Sequence, residues 1–171
     1  KTTTYTGSGI TSNTAGATIP NGTLVTLTYK YTYYTNSSCT TGATTTAPSA
    51  VGNYYVKATS AATTNLNAGA SSCVAHTISK NTNNNLSKLS VSGYSISPNF
   101  AAGTLEYTLA LEAKSITINA SAATGLSTVS GTGTKNLSWG TNTFTISVTS
   151  QSGAVKSYKL TTDKSFTFTI D

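Results

Sequence analysis

Between residues 86 and 162 no stretch keeps helical spacing of apolar residues for more than a turn, while alternation with period two recurs along the whole chain. That pattern predicts strands. The clearest alternation puts Leu24, Thr26, Thr28, Lys30 and Thr32 on one face and Val25, Leu27, Tyr29, Tyr31 and Tyr33 on the other. The odd-numbered face is the one to bury, and a long strand with a single wet face fits an antiparallel sheet covered on one side. Upstream, residues 2–6 read as a first strand closed by Gly7-Ser8-Gly9, and residues 10–19 as a weakly patterned stretch ended by the turn signal Pro20-Asn21-Gly22. Residues 36–48 form a polar excursion with nothing to bury. After it, Tyr54, Val56 and Ala58 oppose Tyr55, Lys57 and Thr59, residues 65–72 read as a loop, and residues 73–78 close the first half.

Lys80-Asn81-Thr82-Asn83-Asn84-Asn85 has no apolar side chain, which is how a short linker reads. The expected organisation is therefore a domain over 1–80, a linker over 81–85, a second domain over 86–163 and an extra strand over 164–171. In the second domain Leu86, Leu89 and Val91 begin a strand that Gly93 breaks, and Leu105, Tyr107 and Leu109 form the next. Phe144, Ile146 and Val148 share one face of a late strand that turns at Gln151-Ser152-Gly153 and returns over 155–161. Tyr94, Leu105, Trp139, Val155 and Tyr158 are further core candidates.

Leu86, Leu89 and Val91-Ser92-Gly93, the corner Ser97-Pro98-Asn99-Phe100, the strand Glu106-Tyr107-Thr108 and the corner Trp139-Gly140-Thr141-Asn142 together resemble the bacterial cadherin-like β-sandwich family as far as about Thr162. The first half is similar, more loosely, to the immunoglobulin-like repeats of bacterial surface adhesins. That likeness rests on Tyr5-Thr6-Gly7-Ser8, the corner from Ala47 through Pro48 and Gly52 to Tyr54, the loop Asn65-Leu66-Asn67 and the closing Ile78-Ser79-Lys80. The acid that usually precedes the latter family's corner is absent here, and the cysteine-bearing excursion is extra. The resemblances imply an all-β chain of two consecutive antiparallel immunoglobulin-like β-sandwiches, a non-enzymatic module repeated along extracellular proteins. They imply no ligand, and the calcium-binding acidic motifs of true cadherins are missing.

Composition narrows the picture further. At 171 residues each half holds about 80, small but able to fold alone if apolar positions are used well. Hydrophobic residues make up 37% and charged residues 8%, with threonine, serine, asparagine and glycine prominent, which fits strands rather than a charge-solubilised disordered tail. The formal charge is +6, yet the 10 cations are all lysines scattered singly from Lys1 to Lys164. Nucleic-acid binding asks for a concentrated basic stripe with arginines, so no nucleic-acid partner is expected; unspecific contact with anionic wall polymers stays open. No run approaches the ~20 apolar residues of a membrane span. The opening Lys1 and the lack of methionine read as a processed or excised piece of a secreted protein. Cys39 and Cys73 are the only cysteines and fall in one half without a Cys-x-x-Cys pair, so one intradomain disulfide is the simplest account, against two buried thiols in a reducing compartment.

Chemistry-bearing side chains are scarce. The acids are Glu106, Glu112, Asp163 and Asp171, and the one histidine is His76. A glycosidase pair could come only from Glu106 and Glu112, which read better as surface acids on one strand. His76 has no carboxylate in its own half to orient it as a base. Neither zinc nor calcium spacing is present, so no catalytic residue, metal or cofactor is expected. A lysine–asparagine isopeptide crosslink needs a buried acid; the first half has none, and Glu106 is the candidate in the second. The Asn-x-Ser/Thr sequons at Asn21, Asn36, Asn85, Asn119 and Asn136 are about as many as chance supplies in so hydroxyl-rich a chain.

Tyrosine is the exception to this blandness. Neighbours in a strand point to opposite faces, so of the pairs Tyr33-Tyr34 and Tyr54-Tyr55, Tyr34 and Tyr55 are the expected exposed ligand contacts of a carbohydrate-binding strip. The tail puts Phe166, Phe168 and Ile170 on one face. Such a strand must find an edge, in this chain, in a further domain, or in a neighbouring molecule as in a self-assembling fibre. The leading expectation is a stalk or adhesive repeat at the cell surface or outside it. Its partners are left open among cell-wall polymer, host glycan and neighbouring domains of the same protein. A carbohydrate-binding module and a strand-exchanging fibre subunit are the alternatives.

Overall fold

A computed structural model describes residues 1–6, 8, 9, 11, 15, 17, 18, 24, 25, 27–64 and 66–165. Phe166, Phe168 and Ile170 lie outside the described residues, as does Asn21. The chain divides into two compact units, Lys1–Lys80 and Asn81–Asp171. Among the described residues every regular element is a strand.

In the first unit the strands are β1 (Thr2–Thr4), β2 (Ala17–Thr18), β3 (Leu24–Val25), β4 (Tyr29–Tyr34), β5 (Gly52–Ser60), β6 (Gly69–Ala70) and β7 (Val74–Ser79). The main sheet runs β1-β7-β5-β4 with β6 on the end of β5, and β2 and β3 form a separate pair. The continuous strand expected over 24–33 is thus two strands. The alternation survives, but a strand also needs a partner, and Leu24–Val25 pairs with β2 whereas Tyr29–Tyr34 pairs with β5. On the inner face Tyr33, Val56, Ala58, His76 and Ile78 are buried.

The second unit holds β8 (Leu86–Val91), β9 (Glu106–Leu111), β10 (Ser115–Ala122), β11 (Thr128–Ser130), β12 (Gly133–Asn136), β13 (Gly140–Thr149) and β14 (Val155–Lys164). One sheet runs β12-β10-β8 and the other β11-β13-β14-β9. Leu86, Leu89, Val91, Ile116 and Ile118 of the first share one buried cluster with Tyr107, Leu109, Ile146, Val148, Tyr158 and Leu160 of the second. Between β8 and β9 the chain changes sheet through a corner with a cis Ser97–Pro98 peptide. Tyr107 holds that corner by donating to Ala101 O at 2.8 Å.

Three features depart from the sequence reading. The pairings are not all antiparallel: β1 runs parallel to β7 and β9 parallel to β14, because neither pair is joined by a hairpin and long crossovers are free to bring strands alongside in the same sense. Residues 81–85 are bonded into the second unit: Asn81 N donates to Gln151 Oε1 (2.8 Å), Ser127 Oγ to Asn83 O (2.6 Å) and Lys156 Nζ to Asn85 Oδ1 (2.8 Å). Their polarity serves hydrogen bonds, not freedom. Finally, Trp139 is 64% and Val155 58% exposed, with Tyr94 and Leu105 at 41%. Trp139 precedes β13 and so escapes its in–out alternation, and its ring lies 4.5 Å from Lys164 Nζ.

Gly131, between β11 and β12, has φ +88°, and a Cβ there would run into Thr145 O and approach the Ile146 Cα at 3.1 Å. Gly131→Ala therefore combines a left-handed backbone with a collision against a neighbouring strand that is paired on its other side. A loss of about 2–3 kcal/mol is expected. Denaturant unfolding checks it against Gly125→Ala, where nothing lies within 4 Å and little change is expected.

Candidate functional site

The sheet order leaves β4 at an edge, and the polar excursion that follows it folds back along that edge. Tyr33 N donates to Thr44 O (2.7 Å), Thr44 N returns a bond to Tyr33 O (3.0 Å), and Thr35 N donates to Thr41 O (3.0 Å). Asn36 organises the tip: its Oδ1 accepts from Thr40 N and Thr41 N at 3.0 Å each, while its Nδ2 donates to Ser38 Oγ (2.7 Å) and Thr40 Oγ1 (2.8 Å). Cys39, buried and at φ +53°, is disulfide-bonded to Cys73 with Cα atoms 5.9 Å apart. Gly42 completes the contact. At φ +70° it brings its backbone so near β4 that a Cβ would lie 2.8 Å from Thr35 Oγ1.

Between this loop, the end of β4 and the Pro48–Gly52 corner lies a groove of about 330 Å³, lined by Thr35, Thr44, Thr46, Pro48, Ser49 and Tyr54 among others. Tyr54 is half-buried. Its ring folds back over Gly52, where a Cβ would come within 3.3 Å of it, and its hydroxyl donates to Ala50 O at 3.1 Å. With the hydroxyl committed, what the ring offers the groove is apolar surface. Threonine and serine hydroxyls surround it: Thr35 Oγ1 donates to Thr41 O at 3.2 Å and keeps only acceptor capacity, Thr44 Oγ1 accepts from Thr46 N at 3.1 Å and keeps its proton, and no charged side chain lines the groove.

Tyr34 and Tyr55 are direct partners across the β4–β5 pair and both are half-buried. They occupy the face opposite Tyr33 and Val56, which are buried. Tyr34 also lines the groove; Tyr55 does not line it. The residue that sequence reasoning passed over is Tyr54, assigned to the core by alternation. The available signal was its place just after the Pro48–Gly52 corner, where a strand has not yet acquired a full cover.

The remaining chemistry-bearing groups stand apart. Glu106 faces Lys159 at 3.8 Å, with side chains 79% and 51% exposed, so the buried acid that an isopeptide crosslink requires is not found at Glu106. Glu112 and Asp163 line a second cavity of about 500 Å³ with Leu109 and Leu111, and Asp163 Oδ1 accepts from Thr141 Oγ1 at 2.6 Å. His76 is fully buried, its ring 5.7 Å from that of Tyr33. Among the described residues no three of His, Cys, Asp and Glu come together as a metal site would need, and no helix is long and apolar enough to cross a membrane.

No family model matches the chain, and no curated protein does either. Among solved structures it is similar to Clostridium thermocellum CbhA fibronectin(III)-like modules, at 15% identity over 87% of this chain and 83% of that one. The TM-score is 0.25, at which the likeness decides neither fold nor function.

Proposed function

We propose that the chain is a non-catalytic extracellular module, two consecutive immunoglobulin-like β-sandwiches serving as a stalk or adhesive segment of a bacterial surface or secreted protein. The observation that carries this is the path of the chain through each unit. In the first, Thr2 to Thr4 pair in parallel with Thr77 to Ser79, and Thr77 N donates to Lys1 O at 2.8 Å. Residue 1 therefore sits near the start of β7 while residue 80 leaves from its end. In the second, Asn85 is held by Lys156 beside the start of β14, and Lys164 ends that strand. At roughly 3.3 Å per residue this places entry and exit about 30 Å apart. That span belongs to the second unit; in the first, residue 1 lies beside about residue 76, some four residues or ~13 Å along β7 from residue 80. In both units the chain arrives nearer the start of the closing strand and leaves at its end, which is the sense that end-to-end stringing requires. Pulling on the first unit would also load the parallel β1–β7 bonds together in shear.

The disulfide supports an oxidising compartment, and the resemblances to cadherin-like and adhesin repeats support the bacterial surface setting. Glu106 in a solvent-exposed ion pair and His76 in the core support a structural role over a catalytic one.

Stretching single molecules by their two ends tests the proposal. Discrete unfolding of two units is expected, and the step of the first should lengthen on reduction. The disulfide spans 34 residues, which hide roughly 120 Å of contour at ~3.5 Å per residue. Smooth extension at low force, without steps, would remove the stalk reading.

A further inference from the structure

We infer that the groove beside β4 binds a neutral glycan, with the Tyr54 ring as the stacking surface and the hydroxyls of Thr35, Thr44, Thr46 and Ser49 as the hydrogen-bonding rim. This goes beyond a stalk role, which needs no groove. It begins from an apparent extravagance of the fold. Cys39 is the one buried residue of the excursion over 36–48, yet the excursion is held by a disulfide, by a two-way bridge to Tyr33, by two bonds that the Asn36 side chain donates and two that it accepts, and by the close approach of Gly42 to Thr35. Long loops without secondary structure that are nonetheless rigidly built are commonly binding loops. A wall fixed before binding spares the ordering cost that a mobile loop would incur.

The lining then selects the ligand. An aromatic face takes the apolar side of a sugar ring, and a rim of hydroxyls, with Thr35 as an acceptor and Thr44, Thr46 and Ser49 carrying protons to donate, matches a ligand that is itself a set of hydroxyls. Without a lysine, histidine or carboxylate in the lining, a sulfated, sialylated or phosphorylated ligand would lose hydration and gain no counter-charge. The volume of about 330 Å³ lies at the small end for ligand pockets, about 300–1,000 Å³, so it takes a short stretch or end of an oligosaccharide. A proline-rich peptide fits less well, because such segments dock on grooves lined by several aromatic faces; of the three tyrosines in this lining Tyr33 is 3% exposed, and Tyr34 lies on the opposite face of the sheet from Tyr54, so the rings do not form one aromatic floor.

The test is titration of the full oxidised chain, followed by backbone amide NMR shifts, with hexaoses of neutral glucan, xylan, mannan, galactan and N-acetylglucosamine. Sialylated and sulfated oligosaccharides and a decaproline peptide complete the panel. Saturable binding of at least one neutral hexaose is expected, with shifts centred on Thr44, Thr46 and Ser49 in the unaltered protein. Tyr54→Ala should weaken it about tenfold or more, a change of roughly 1.4 kcal/mol. Tyr54→Phe should keep it, and Tyr55→Ala, on the opposite face of β5, should leave it unchanged. The shift map stands even if Tyr54→Ala fails to fold. Silence across the neutral panel overturns the inference. So does binding that requires a charged sugar, binding of decaproline alone, or shifts centred on the outer face around Tyr55.

Discussion

Replacing Cys39 and Cys73 by serine is expected to lower the stability of the first unit by roughly 4 kcal/mol, the chain-entropy value for a closed loop of 34 residues. A unit of this size, Lys1–Lys80, has a total stability of about 4–12 kcal/mol at ~0.05–0.15 kcal/mol per residue, so the first unit should unfold partly or wholly while the second does not. The loss should be large because the crosslink removes loop-closure entropy from the unfolded chain, which no contact within the folded loop replaces. Cys39 is the buried residue of the excursion, and the other restraints are hydrogen bonds, each worth about 1 kcal/mol net. Denaturant unfolding of the oxidised chain and the double variant, followed by tyrosine near-ultraviolet circular dichroism, measures the difference. A loss under about 1 kcal/mol would mean that the Asn36 network and the Tyr33–Thr44 bridge hold the excursion by themselves.

Tyr158→Ala is expected to unfold the second unit. Tyr158 is fully buried on β14, and its hydroxyl accepts from Leu86 N and donates to Ala102 O, both at 3.0 Å. Since Leu86 opens β8 in the facing sheet, one side chain ties the two layers together where the chain enters the unit. Losing the ring costs about 3–5 kcal/mol as a cavity. The stranded Leu86 N–H adds about 1–3 kcal/mol. Tyr158→Phe isolates the second contribution and should leave a folded but weakened unit. The protein has 1 tryptophan, Trp139 in this unit, so its fluorescence during denaturation reads both variants. A cost for Tyr158→Ala below about 2 kcal/mol would show that the layers are held elsewhere.

Much of this was legible in the chain as written. Alternation around Val56 and Ala58, and again around Ile146 and Val148, marked strands and their inner faces correctly, since a side chain's face follows from local geometry alone. The disulfide was legible for a simpler reason, that two cysteines admit one intramolecular pairing. What alternation could not supply was cover. Tyr54 and Val56 share a face of β5, yet Val56 is buried whereas Tyr54 opens onto a groove, because burial depends on what lies across from a residue. Trp139 misled by type: a large aromatic reads as core, and here it is 64% exposed with Lys164 over its ring.

The sequence by itself determined that the chain is built of strands, where most of them run, which faces of strands such as β5 and β13 turn inward, and that any disulfide within the chain joins Cys39 to Cys73. These follow from side-chain period, turn chemistry and residue count, all local or arithmetic properties. Only the tertiary structure decided that β1 lies parallel to β7 and β9 to β14, that residues 81–85 are bonded into the second unit, and that the excursion after β4 becomes one wall of a groove. Each of these depends on contacts between residues far apart in the chain. Several arrangements of the same strands satisfy the same alternation, and the choice among them is made by which edges and carbonyls meet.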